Sequence, residues 1–141
     1  MKSITRPEEV FIFYTRFNLP ELTGLTASNI TQLLKRIKEV PGSSIYHHTH
    51  RFVEKHQYLS IEPPNDFAYW VSEVLGEKML GEKLDGIDTL QFRTIHDLRL
   101  ALIETIESYV AEYPKTKKRF ADQDSLFHFI KSISFILPTP Y

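Results

Sequence analysis

His47, His50 and Glu54 have the most suggestive spacing in the chain. Placed at i, i+3 and i+7, they fall within an arc of about 60° on an α-helix. Two imidazoles and a carboxylate can ligate zinc, iron or manganese. A fourth ligand would have to come from outside that helix, and Asp66, at the next helix start, is the nearest candidate in sequence. The same wheel sets the triple opposite Ile45, Phe52 and His56, on a face that meets solvent unless another segment covers it. A solvated face is therefore favoured over a metal site, which needs a closed pocket with supporting hydrogen bonds. His48 and His56 lie on the apolar flank, where histidines at the edge of a core find hydrogen-bond partners. A second constellation is Tyr46, Asp66, Phe67 and Trp70, with Tyr69 beside them. Aromatic walls with a few polar groups suit a small ligand. The competing reading is architectural, with Asn65-Asp66 as a helix cap and Trp70 in a buried stripe.

Other patterns exclude more than they suggest. Gly76, Gly81 and Gly86 repeat every five residues, but no Gly-Lys-Ser/Thr follows a strand, so the run is no phosphate loop and reads as the capping of a short helix. Asp122-x-Asp124 reads as a capping run. Lys115, Lys117, Lys118 and Arg119 make one small basic cluster, expected to be a solvated loop. No Gly-x-Ser-x-Gly and no His-Glu-x-x-His occurs, so nucleophilic catalysis has no support from motifs.

The 141 residues are 42% hydrophobic and 25% charged, the composition of one globular domain spanning 1–141. The absence of cysteine removes disulfide frameworks and thiolate metal sites, which suits a cytoplasmic protein. The net charge of -1 gives no bulk attraction for polyanions, so neither a nucleic-acid nor a membrane partner is expected. That balance hides an acidic middle, residues 61–113, between two mildly basic ends, a pattern that favours self-association or an internal electrostatic match.

These residues need elements to position them, and helical periodicity dominates. A helix capped at Ser28 buries Ile30, Leu33, Leu34 and Ile37 and stops at Pro41-Gly42. Another runs from Ser43 or Ser44 to about His56, and a third opens at Asn65-Asp66 with Phe67, Trp70, Val71 and Val74 on one arc. The longest extends from a Thr94 cap, with Asp97 at its third position, to about Glu112. A last helix opens at Asp124 or Ser125 and is apolar on nearly every side, from Leu126 to Ile136. Such a helix must be enclosed or meet a second copy, so a homodimer through it is expected. The first apolar run, Val10 to Thr15, could form a hairpin with Leu22 to Thr26 or else a helix. The fold class expected is mainly α, a compact bundle of five or six helices with a short N-terminal β-hairpin.

Four segments resemble, in order, the motifs of a prokaryotic family known only as a domain of unknown function. They are Phe11-x-Phe13-Tyr14-Thr15, Thr23-Gly24-x-x-Ala27-Ser28, Ser44-Ile45-Tyr46-His47 and Asn65-Asp66-Phe67-x-x-Trp70, and the match covers roughly residues 11–112. The resemblance implies a mainly helical domain with no established activity. Because some members sit beside sugar-transfer or sugar-metabolising domains, it also implies a partner from carbohydrate metabolism. The reading ranked first is a non-catalytic binding or regulatory module. The alternatives are a metal-binding protein or metal-dependent enzyme using His47, His50 and Glu54, and a small-ligand carrier.

Overall fold

The computed structural model describes residues 13–56 and 65–139, and side chains for 19–50 and 65–133. In chain order the elements are β1 (Phe13–Ala27), α1 (Ile30–Glu39), α2 (Gly42–His56), α3 (Asp66–Glu73), α4 (Lys78–Asp85) and α5 (Ile95–Glu112), then 3-10 turns at Pro114–Lys118 and Gln123–Ser125, and β2 (Phe127–Thr139). The expected helical bundle is thus corrected to a mixed architecture, in which five helices pack with an antiparallel ribbon made from the two ends of the described chain.

The largest correction is at the C-terminal segment, which is a strand and not a helix. A short run of apolar residues satisfies a buried helix and a buried strand equally well by periodicity. What decides is alternation with a partner at hand: Phe127 and Phe129 are buried, His128 between them is exposed, and β1 supplies the ladder. The N-terminal hairpin is corrected as well. β1 runs straight through Asn18-Leu19-Pro20-Glu21, where a turn was expected, and pairs with β2. Val10 to Ile12, the start of the expected hairpin, lie outside the described residues.

The register explains how a strand tolerates Pro20. Ile130 spends its N–H on His48 and its C=O on Ser44, both on α2, so its backbone polar groups point away from β1. Alternate β2 positions repeat that direction. Ser132 and Pro138 share it, and Pro20 and Tyr14 stand opposite them on β1. Both prolines therefore lack an N–H only where the ladder does not need one, along outer edges. Between the pairs Leu22↔Ile130 and Thr26↔His128, three β1 residues face the single residue Phe129. Gly24 enters the left-handed region there, at φ 85°. Thr23 Oγ1 donates to the Phe129 carbonyl at 2.8 Å.

The helix caps follow the chemistry of their residues. Asn29, and not Ser28, caps α1, accepting the Gln32 N–H at 2.8 Å, while Ser28 Oγ donates to Gln32 Oε1. Asn65 caps α3, accepting the Ala68 N–H at 2.6 Å and donating from its amide to the Leu84 carbonyl, which ties α3 to the end of α4. Thr94 caps α5 through the Asp97 N–H. The buried apolar residues form one cluster, drawn from all five helices, including Ile45 of α2, and from Ala27 of β1 and the Phe127–Phe129 end of β2. Among the described residues, no helix is long and apolar enough to cross a membrane.

α3 and α4 approach closely because Gly81 has no side chain. A Cβ there would lie 2.6 Å from Ser72 Cβ, less than any real contact allows. Gly81→Ala should therefore lower stability by about 1–2 kcal/mol, the strain outweighing the better helix propensity of alanine. Urea unfolding of the variant beside wild type measures it, and an unchanged or raised midpoint would contradict the close approach.

Candidate functional site

α2 lies along the outer edge of β2, and its side chains take the place of a third strand. Ser44 Oγ donates to the Ile130 carbonyl at 2.8 Å, and the Ile130 N–H donates to His48 Nε2 at 3.0 Å. Because Nε2 accepts, the imidazole proton sits on Nδ1, which donates to Asp66 Oδ2 at 2.7 Å. One buried histidine thus joins α2, the first turn of α3 and β2. Rings close around it: the Phe127 centroid is 4.8 Å away, Phe67 5.5 Å and Phe129 6.0 Å. Trp70 packs edge-on against Phe127 and donates from Nε1 to the Ser125 carbonyl at 2.7 Å, fixing the entry to β2.

A carboxylate that orients an imidazole is the arrangement of many general bases. In this one the nitrogen that would take a proton from a substrate already accepts the Ile130 N–H. The pair works as a structural link. His48 is the hydrogen-bonded core-edge histidine its position in the sequence suggested. His56 belongs to the last turn of α2, and its side chain is outside the described ones.

His47 and His50 meet different surroundings from those expected. His47 is only 8% exposed, and its Nδ1 is 3.0 Å from Ser132 Oγ. At His47, the face expected to meet solvent is covered by β2, the segment read as a helix. His50 stacks on Tyr46 with centroids 4.7 Å apart. Its Nδ1 is 2.7 Å from Thr49 Oγ1, whose own hydrogen goes to the Ile45 carbonyl, so Nδ1–H of His50 is the donor. Glu54 is in α2, but its side chain is outside the described ones, so only two members of the metal triple can be placed. Among the described residues, no group of three His, Asp or Glu side chains could hold a metal ion.

The second constellation is divided. Phe67 and Trp70 are buried, Asp66 is half-buried against His48, and Tyr46 and Tyr69 are exposed. Tyr69 lines a small groove of 130 Å³ with Ser72, Glu73, Glu82 and Asp85. Burial, reinforced by the neighbouring Glu82, pushes the Asp85 carboxyl above its ordinary range.

Sequence reasoning missed one polar cluster. Glu77, 9% exposed, accepts from the Tyr109 hydroxyl at 2.7 Å and pairs with Arg119 Nε at 2.8 Å, while Arg119 also reaches the Leu75 carbonyl. The available signal was Tyr109 itself, a tyrosine in the buried stripe of α5 whose hydroxyl had to find an acceptor. Burial, then the hydrogen bond and charge of Glu77, raise the Tyr109 hydroxyl from 10.0 to about 12. The folded chain keeps this proton where the unfolded chain releases it, so the stabilisation is complete below pH 10 and is lost as the pH rises towards 12. The loss should be on the order of 2 kcal/mol. Comparing urea unfolding of wild type and Tyr109→Phe at about pH 9 and about pH 11.5 measures it. The wild type should lose more stability between the two, and equal losses would contradict the assignment.

No curated protein matches the chain. Among solved structures, OrfY from Thermoproteus tenax is similar, with 27% sequence identity and a TM-score of 0.72 over 94% of this chain. The match takes in 58% of the OrfY chain, so the present chain spans less than two thirds of its length. The likeness carries the mixed helix-and-ribbon fold beyond this one sequence. At the level of sequence, a model described as "Family of unknown function (DUF5752)" matches residues 8–141, nearly the whole chain, and the chain belongs to that family.

Proposed function

We propose that the chain is a binding or regulatory module that acts through contact with protein, and that the ribbon closes on a second copy. The observation that carries this reading is the apolar surface left on the ribbon. Leu19 is 52% exposed and Ile133 36%, and the two stand directly opposite each other on one face of the ribbon. Continuing outward, the register sets Phe17 opposite Phe135 and Thr15 opposite Leu137. A two-stranded ribbon is marginal by itself, and an apolar column along one calls for cover. Pairing edge to edge would place Pro20, which has no N–H, in the new ladder, so the contact is between faces and not between edges. The dimer expected from the C-terminal segment is kept, with a strand in the place of the helix.

The reading is also supported by the way the reactive side chains are used. His48, Asp66, Trp70, Glu77 and Tyr109 are engaged in hydrogen bonds between elements. The metal-site and ligand-carrier readings rank lower, because the Nδ1 atoms of His47 and His50 make contacts within the chain and Phe67 and Trp70 pack in the core. A protein of carbohydrate metabolism is the regulated partner to try first, on the strength of the motif resemblance. Light scattering across about a hundredfold concentration range tests the dimer. Wild type should give twice 16.5 kDa and Leu19→Ser/Ile133→Ser the single-chain mass. A wild-type monomer throughout would refute the ribbon contact.

A further inference from the structure

His48 differs from its neighbours on α2 in the kind of partner it holds. His47 meets the Ser132 hydroxyl, which can donate or accept, so a proton gained on that ring leaves the contact in place. His50 already donates from Nδ1 to Thr49, and a second proton on its Nε2 leaves that bond untouched. His48 accepts at Nε2 from the Ile130 N–H at 3.0 Å, and a backbone N–H can only donate. A proton on Nε2 therefore breaks this bond and sets two donors face to face. The buried ring cannot become doubly protonated and keep Ile130.

The elements packed on His48 favour a charged imidazole on one side only. α3 brings the Asp66 carboxylate, 2.7 Å from Nδ1, and the Phe67 ring. β2 brings Phe127, Phe129 and the Ile130 backbone, none of them charged. On α2 itself His47 stands edge-on, with ring centroids 5.0 Å apart. We propose that His48 is a proton-operated latch, which in its neutral form ties β2 to the helices and on gaining a second proton turns to Asp66 alone and releases Ile130. The incoming proton goes to Nε2, the Nδ1–H bond to Asp66 becomes an ion pair, and the Ile130 N–H loses its acceptor. A carboxylate at hydrogen-bond distance favours the charged ring, so the released state is reached without unfolding the helices. Imidazole changes charge between about pH 5 and 8, which suits such a latch to ordinary changes in acidity. The apolar pair Leu19 and Ile133 lies on the same ribbon, so acid would loosen the surface that meets a second copy. That consequence rests on the binding-module reading, whereas the latch itself does not.

The test follows the full chain, labelled with nitrogen-15, by NMR as the pH is lowered from about 8 to about 5. The ring-nitrogen signals of His48, read separately from those of His47, report its protonation. Exchange of the Ile130 amide, corrected for the intrinsic effect of pH, reports the latch. His48 should pass from its Nδ1–H form to the doubly protonated one, and protection of Ile130 should fall about tenfold or more at the same midpoint, while the amides of Leu102 and Ile106 in α5 stay protected. Asp66→Asn keeps an oxygen for Nδ1–H but removes the charge, so release should move to lower pH by about one unit or more. A doubly protonated His48 with Ile130 still protected would overturn the proposal. So would protection lost at Ile130 and α5 together, a His48 that stays neutral until the chain unfolds, or an unmoved or raised midpoint in Asp66→Asn. The outcomes separate from the dimer test: a latch that opens in a protein that is monomeric throughout stands without the ribbon contact, and a dimer whose His48 never releases Ile130 removes the latch alone.

Discussion

Replacing His48 with alanine is expected to lower stability by about 3 kcal/mol, because the change leaves two partners behind as well as a gap among rings. The Ile130 N–H loses its acceptor on the outer edge of β2, and the half-buried Asp66 carboxylate loses a charge-assisted bond of 2.7 Å. Asp66→Ala alone should cost less, since the imidazole keeps Ile130. The two losses should not add. The double variant is expected to be more stable than the sum by about 1 kcal/mol or more, the mark of a direct contact. Urea unfolding of the four proteins checks this, and additive losses would show that His48 and Asp66 act independently.

The second large effect distinguishes neighbouring positions on β2. Phe129 is fully buried, 4.7 Å from Phe127 and 6.2 Å from Phe67 by ring centroids, so Phe129→Ala should cost about 3–5 kcal/mol. His128 is exposed, and His128→Ala should change stability by about 0.5 kcal/mol or less. Thermal or urea unfolding reads both. Comparable losses at the two positions would contradict the alternation that makes this segment a strand.

Much of the helical part was legible from local chemistry. Asn65 and Thr94 were recognisable as caps because a side-chain oxygen one residue before an apolar stripe has an orphan N–H to accept. Pro41-Gly42 ended α1, and Pro114 ended α5, for equally local reasons. The ribbon was not legible, because the evidence for it is non-local. Phe127 to Thr139 is a strand only because Phe13 to Ala27 lies beside it, a hundred or more residues away in sequence, and nothing within either segment records the other. That error carried into the site. With the last segment read as a helix, nothing covered His47, whereas β2 in fact brings Ser132 to it. His48 was placed correctly at a core edge, since a histidine beside an apolar stripe must find partners, but which partners depended on the strand. The Glu77, Tyr109 and Arg119 cluster was hidden for a similar reason: Arg119 sits in a run of lysines that reads as solvated.

The two ends of the described chain form one antiparallel ribbon latched by α2. Leu22 and Ile130 are directly opposite at a position where the Ile130 backbone groups point away from β1. Such pairs bring Cα atoms to about 4.5 Å, inside the range a disulfide spans. Since the chain has no cysteine, Leu22→Cys/Ile130→Cys can form only the intended bond within a single chain. Mild oxidation should close it in nearly every monomer, seen as a two-dalton mass loss and a higher thermal midpoint that reductant reverses. Monomers whose thiols stay reduced, or that link only between chains, would contradict the ribbon pairing.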